Sequence, residues 1–408
     1  MLCPKKCIDY PENIMGQYKS RVDLESCIEC KLCEKVCPLL STSYIHKNLP
    51  FKEEVGYYDK CYKGYDKRFR KTSASGGLLT ACLYELLKSG KIDTVICVGA
   101  NSDKEDFYKY NFVTDPDELK TNSLSAYYPL HIDEVMHRIM KHEGKYGMVV
   151  LPCQAKGIRE LQKRNRILRE RIVYLFGLVC GGMPGKSMVE YVACEKNISL
   201  ENVKKIAFRE KRSHYECDDC AMSLYINNVA KYSNMKNDSF GFAYLNKLFH
   251  YPGCNVCDDI FAEHADAAFM DAWLEKERRE VYGTSIIISR NKDLTQLLDG
   301  MMHDNPDIEG TSVETAVKAQ SNVGLIQRKK KQSFFKMRLY RKFGYLGPVS
   351  DKKSLTLLQK LKFSVRFVQE FCVQRFAQKV WSEFKKGNYD FAKTNKKLHR
   401  YVKNIKRI

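Results

Sequence analysis

The chain has 408 residues, 44% hydrophobic and 29% charged, so it is long enough for more than one domain and apolar enough to bury a substantial core. It holds no run of 18 uncharged apolar residues, and Met1-Leu2-Cys3-Pro4-Lys5-Lys6 does not open an apolar leader; no transmembrane helix or signal peptide is expected, and the cytoplasm is the expected compartment. Of 69 basic residues 24 lie from Arg328 onward, against 4 of the 49 acidic ones, so the whole excess of +20 sits in residues 328–408 and the rest of the chain is neutral.

In chain order, residues 1–50 read as a small cluster-binding module. Seventeen cysteines suit metal ligation better than disulfides in a reducing compartment, and an anaerobic host would suit them. Cys27-x2-Cys30-x2-Cys33-x3-Cys37-Pro38 has the spacing of the bacterial ferredoxin run, whose tight loop gives three thiolates to one [4Fe–4S] cluster while the fourth cysteine serves a second. Cys3-Pro4 reads as the tail of a preceding run. Cys3 is therefore the natural fourth ligand for Cys27, Cys30 and Cys33, with Cys37 or Cys7 as the alternatives. On this reading the start of the sequence is expected to be truncated, with one or two clusters in the chain as given.

Residues 51–325 read as an α+β body with a mixed α/β core. Apolar patterning predicts a helix over Leu78–Leu87, directly after Ser73-Ala74-Ser75-Gly76-Gly77, and strands at Thr94–Val98, Met148–Leu151 and Ile172–Phe176, the last ended by Gly177. Further helices are expected at Ile132–His142, Gln154–Gln162 and Ser187–Cys194, with strands at Met222–Asn227 and Ser285–Ser289. Residues 326–408 read as a basic helical tail opened by Lys329-Lys330-Lys331. It has a break over Gly344–Lys353 and helical apolar spacing from Leu355 to Phe384.

Seven motifs then occur in order: Cys61-Tyr62 with Arg70–Gly77, Leu151-Pro152-Cys153-Gln154, Gly177–Pro184, Phe208-Arg209-Glu210-Lys211, Cys254-Asn255-Val256-Cys257, Asp271-Ala272-Trp273, and Gly283-Thr284-Ser285. Together they resemble the coenzyme F420 hydrogenase/dehydrogenase beta subunit family, in the ferredoxin-headed form often found beside polysaccharide genes. The resemblance covers about four-fifths of the chain. It implies an oxidoreductase carrying FAD or another flavin that exchanges electrons between a reduced carrier, coenzyme F420 or ferredoxin, and [4Fe–4S] clusters. It also implies that Ser73, Ser75, Gly76, Gly77, Ser125, Tyr127, Arg209 and Asp271 contact the flavin. Glycines before a helix allow close backbone approach, and a helix N-terminus favours a phosphate; the plainer reading of Ser73–Gly77 is a helix cap. Cys153, Cys180, Cys254 and Cys257 become candidates for a second cluster, since Cys153 and Cys180 each follow a predicted strand and strand ends converge at one rim of an α/β sheet. The plainer reading is that Cys153 and Cys180 are small core residues.

The chain also departs from the family pattern. Ala126 stands where a lysine is usual, Met270 and Leu274 replace two glycines around Asp271-Ala272-Trp273, and Tyr251-Pro252-Gly253 precedes the Cys254 pair in place of an arginine. These changes leave open a non-catalytic electron-wiring or assembly subunit serving a partner enzyme, for instance in surface polysaccharide synthesis. Cys217-x2-Cys220 reads as a pair in a variable hairpin, and His131, His137, His142, His214, His250 and His264 as structural or surface residues. The basic, aromatic tail suits a partner protein or an anionic membrane surface. Nucleic acid is not expected, as no recognised binding module is present.

Overall fold

The computed structural model describes residues 3–40, 48–101, 106–342 and 355–407; the expected break over Gly344–Lys353 lies outside them. Residues 3–40 hold little regular structure: Ile8–Asp9 pairs antiparallel with Arg21–Val22, and a five-residue helix, Leu32–Val36, carries Cys33.

The body alternates strands and helices: β1 (Lys60–Gly64), α1 (Leu78–Lys88), β2 (Thr94–Ala100), β3 (Tyr108–Val113), α2 (Asp133–Lys141), β4 (Tyr146–Val150), α3 (Pro152–Gln162), β5 (Ile172–Leu178) and α4 (Ser187–Glu195). Then come β6 (Lys205–Glu210), β7 (Ala221–Ile226), β8 (Val229–Asn234), β9 (Ala267–Asp271), β10 (Ser285–Ser289), α5 (Lys292–Asp304), β11 (Ile308–Thr311) and α6 (Val313–Asn322). Eight strands form one mixed sheet in the order β11-β1-β10-β9-β5-β4-β2-β3. Its centre, β2-β4-β5-β9, is parallel because helical crossovers separate those strands, and its flanks are antiparallel.

Both faces of the sheet are covered. Ile96, Met148, Leu175, Ala268 and Ile286 pack on one face, while Val95, Cys97, Tyr174, Phe176, Phe269 and Ile287 pack on the other. That two-sided burial is why these strands read as continuous apolar runs. The third predicted strand does not stop at Gly177 but runs through it to Leu178. Glycine is required there for packing, since a Cβ would come within 2.2 Å of the Ala262 Cβ.

β6, β7 and β8 form a separate antiparallel sheet that shares a core with α4 and with the end of the chain. The basic segment is built as α7 (Ser333–Lys342), α8 (Leu357–Lys385) and α9 (Phe391–Ile405). Thr356 caps α8 through its side chain, with Gln359 completing the reciprocal bond. Trp381 is wholly buried, its ring 5.2 Å from that of Phe249 and 6.2 Å from that of Tyr191. Much of the apolar face of α8 is thus used against the chain's own body; Leu357, Leu358 and Leu361 remain exposed at its start, at 84%, 69% and 63%. Among the described residues no helix is long and apolar enough to cross a membrane.

On α9, Thr394 is fully buried and its hydroxyl has no hydrogen-bond partner among the described residues. A buried unsatisfied hydroxyl destabilises, so Thr394→Val, which keeps the shape, should stabilise the chain by about 1 kcal/mol. The midpoint of a urea transition measures the gain.

Candidate functional site

The expected phosphate loop, Ser73–Gly77, leads from β1 into α1. Gly77 caps α1 in the left-handed conformation, φ 84°. A Cβ on Gly76 would lie 2.6 Å from the Gly64 carbonyl oxygen and 2.7 Å from the Ser285 nitrogen. The two glycines therefore let the loop sit against the protein's own strands β1 and β10, a different reason from the ligand approach expected of them. Gly76→Ala is accordingly expected to destabilise the fold by about 1–3 kcal/mol, read by chemical denaturation, since fixed backbone must give way.

The loop's hydroxyls are largely engaged. Ser73 Oγ meets Thr80 Oγ1 at 3.2 Å, and Ser75 Oγ donates to the Thr284 carbonyl at 3.0 Å. The amides of Ser75, Gly76 and Gly77, by contrast, have no backbone partner among the described residues. Unpaired N–H groups at the start of an eleven-residue helix suit an anion.

Lys211 fixes this loop from the far side. Its Nζ donates to the carbonyls of Arg70 (2.6 Å), Ser75 (2.7 Å) and Tyr282 (2.6 Å). Burial, then the guanidinium of Arg209, pushes its pKa down to about 7, while three carbonyl acceptors call for the three donors of the charged form. Lys211 lies inside the Phe208–Lys211 motif, which was the sequence signal for it.

Arg209 and Asp271, both expected at the flavin, are bound to each other. Nη1 donates to Oδ2 at 2.6 Å and Nη2 to Oδ1 at 2.7 Å. Arg209 sits at a bulge in the β6–β7 ladder with φ 57°, which turns its side chain inward toward β9. Its guanidinium also lies 5.2 Å from the Trp273 ring centre. Ser125 bridges to Phe208, and the Tyr127 ring packs 5.5 Å from Phe208 and 4.9 Å from Tyr244.

The four body cysteines converge. Cys153 is in the first turn of α3, beyond β4, and Cys180 follows the neighbouring strand β5, so both stand at the same end of two adjacent parallel strands. Cys254 opens the turn that ends at Cys257. Burial first, then the nearby Cys257, Cys180 and Cys254, raises the Cys153 thiol pKa; burial and Cys180 push Cys254 up to about 11. Cys254 Sγ accepts a hydrogen bond from the Met183 amide at 3.4 Å, and Gln154 locks the turn by accepting from the Leu151 amide at 2.9 Å. Among the described residues no three His, Cys, Asp or Glu side chains close around a single metal ion. A four-iron cluster takes one thiolate per iron and needs sulfurs around a cavity rather than around a point.

Such a cavity is present. It has a volume of about 1540 Å³, and its wall includes Cys153, Cys180, Cys254 and Cys257 together with Ser73, Ser75, Gly77, Ser125, Tyr127, Arg209 and Asp271. Gly76 stands behind the wall. Cys153 is accessible despite its depth because it faces this space. Cys220 also reaches the wall, while Cys217 turns away, its thiol 3.5 Å from the carbonyls of Glu277 and Arg278; the Cys217-x2-Cys220 pair is thus divided by the wall. His250 and His264, read as structural, are both buried and border the same cavity.

In the head, Cys3 lies against Cys7, Sγ to Sγ 3.3 Å, and Cys27 is the next sulfur beside Cys7. Cys30 and Cys33 are exposed, and Cys37 is half-buried. Pro38 and Leu39, just past Cys37, line the cavity, and Leu39 packs with Val256 and Met337. The Cys37 end of the head thus borders the cavity in which the body cysteines meet.

Residues 61–137 match the N-terminal part, and residues 143–313 the C-terminal part, of the family described as the beta subunit of coenzyme F420 hydrogenase/dehydrogenase. The chain is 26% identical over 252 residues to a coenzyme F420-dependent sulfite reductase of Methanocaldococcus jannaschii, covering 58% of this chain and 36% of that protein. It is 24% identical over 279 residues to the coenzyme F420 hydrogenase subunit beta of Methanothermobacter thermautotrophicus, covering 63% and 90%. It is 33% identical over 206 residues to the F420-dependent formate dehydrogenase 1 subunit beta of Methanococcus maripaludis, covering 47% and 46%. The alignment therefore spans about a third of the sulfite reductase and just under half of the formate dehydrogenase subunit. In fold the chain is similar to one in the F420-reducing [NiFe] hydrogenase complex from Methanosarcina barkeri, with TM-score 0.54 and 17% identity over 72% of this chain and 96% of that one.

Proposed function

Because the chain belongs to the coenzyme F420 hydrogenase/dehydrogenase beta subunit family, we propose that it is an iron–sulfur flavoprotein oxidoreductase passing electrons between a reduced carrier, coenzyme F420 or ferredoxin, and a bound flavin through [4Fe–4S] clusters. The observation that carries this reading is the single cavity shared by four converging cysteines and the helix-capping loop Ser73–Gly77. A flavin takes up two electrons as hydride and releases them singly to clusters that accept one at a time.

The chain's own residues supply the rest. The amides of Ser75, Gly76 and Gly77 offer an anion site at the start of α1, and Lys211 holds that loop in place. Tyr127 and Trp273 give the cavity aromatic wall. Cys153, Cys180, Cys254 and Cys257 would hold one cluster. Cys27, Cys30 and Cys33, with Cys3, Cys7 or Cys37, would hold another whose exit borders the cavity. A redox partner protein is part of the proposal. So is peripheral contact with an anionic membrane through the start of α8, where exposed leucines stand among lysines.

Ala126 on the cavity wall and the buried Met270, where glycine is usual, favour a second reading: a non-catalytic wiring or assembly subunit for a partner enzyme. Anaerobic mixing with reduced F420 or reduced ferredoxin separates the two. Bleaching of a flavin band supports the oxidoreductase. Reduction of clusters alone, without any flavin band, supports the wiring subunit.

A further inference from the structure

Lys329 opens a run of three lysines in a segment that carries the chain's entire charge excess, which by sequence alone places it on the surface. In the fold it is 5% exposed and stands on the cavity wall beside the four body cysteines. Two nearby lysines have carboxylate partners: the half-buried Lys330 pairs with Glu263, and the buried Lys336 with Glu370 at 2.6 Å. Lys329 has none. Its Nζ donates to two backbone carbonyls, that of Cys180 at 3.1 Å and that of Asp259 at 3.3 Å. The nearby Asp259 carboxylate accepts from the Glu263 amide at 3.1 Å and faces His264 at 3.9 Å.

A buried ammonium without a paired anion is costly. The anion that would compensate this one is the four-thiolate set of Cys153, Cys180, Cys254 and Cys257. We infer that Lys329 is a built-in counter-charge for a cluster held by those cysteines and that it raises the cluster's reduction potential. Adding one electron moves no proton and breaks no bond; it places one further negative charge at the centre, which a fixed cation in a low-dielectric site stabilises. Lys329 lies beyond the family match, which ends at residue 313, so the cation comes from the C-terminal extension of this chain. The inference rests on the cluster reading given above and adds to it a residue that sets how readily the centre accepts an electron.

The test uses the full chain, purified without oxygen. The paramagnetic signal lost in Cys153→Ser identifies the body centre, and its midpoint is followed by potentiometric titration in the wild type, Lys329→Gln and Lys329→Arg. The expected result is a reduction equilibrium constant at least tenfold lower in Lys329→Gln, about 59 mV for a one-electron couple. Lys329→Arg should stay close to wild type and the head centre should not move. Assembly of the centre in Lys329→Arg but not in Lys329→Gln supports the same inference. It is overturned by an unchanged midpoint in Lys329→Gln with the centre retained, by an equal shift in Lys329→Arg, or by loss of the centre in both variants. A wild-type chain without any signal sensitive to Cys153→Ser removes the cluster reading itself.

Discussion

Cys254→Ser is expected to remove about four irons per chain, the complement of one cubane, while the signal of the head cluster stays. Cys254 lies in the short turn that also supplies Cys257, and it shares the cavity wall with Cys153 and Cys180. As free thiols, Cys153 and Cys254 are driven toward the protonated form by burial and by the neighbouring cysteines. Close-set, buried thiols of this kind become thiolates when a metal takes the proton's place. Serine preserves the volume but offers a hard oxygen in place of a soft sulfur, which suits iron–sulfur ligation poorly. Cys217→Ser is the control. That thiol points away from the cavity toward the Glu277 and Arg278 carbonyls, and its loss should leave the iron unchanged. Iron analysis with low-temperature paramagnetic resonance reads both variants; equal iron in wild type and Cys254→Ser would contradict the assignment.

Arg209→Met should cost about 1–3 kcal/mol of stability, since it leaves the half-buried Asp271 carboxylate without its partner. The pair joins the small antiparallel sheet to the central one: Arg209 is on the β6 bulge and Asp271 ends β9, with two hydrogen bonds of 2.6 and 2.7 Å between them. Gln320 on α6 also donates to the Asp271 carbonyl at 3.2 Å, so the end of β9 is held from both sides. The double variant with Asp271→Asn should recover part of the loss, because the stranded charge is gone, and the difference measures the coupling of the pair. Urea unfolding of the three variants provides the numbers. A loss under 1 kcal/mol in Arg209→Met would show that the carboxylate finds water or another cation.

The central strands were legible because both faces of the sheet are covered, which leaves runs such as Thr94–Val98 and Ser285–Ser289 apolar throughout. β1, Lys60–Gly64, escaped detection because two lysines interrupt its five residues, each paired with an acidic residue on a helix: Lys60 with Asp299 of α5 and Lys63 with Glu277. β9, Ala267–Asp271, escaped detection because its five residues, Ala-Ala-Phe-Met-Asp, include no β-branched residue. β3, at the sheet edge, alternates with polar residues and reads as loop.

The site was legible as a set of residues. Cys153 and Cys180 could be assigned to strand ends from the pattern alone, and adjacent parallel strands do bring them to one rim. The reasons were harder to read. Gly76 looked like a glycine serving a ligand, yet it faces backbone; Arg209 and Asp271 looked like two ligand contacts, yet they hold one another. Lys329 could not be read at all, because a lysine in a basic run looks like solvated surface until the fold shows it buried, its ammonium between the Cys180 and Asp259 carbonyls. The tail's amphipathic pattern did not reveal its target; Trp381, set against Tyr191 and Phe249, shows that the target is largely the chain itself.

The most direct test of the account is the iron, sulfide and flavin content of the full chain purified without oxygen. About eight irons with matching sulfide and about one flavin per chain are predicted, from one cubane in the head, one in the body and a flavin in the shared cavity. About four irons with no flavin would contradict it: the head would then be the redox centre of the chain, and Ser73–Gly77 would be a helix cap.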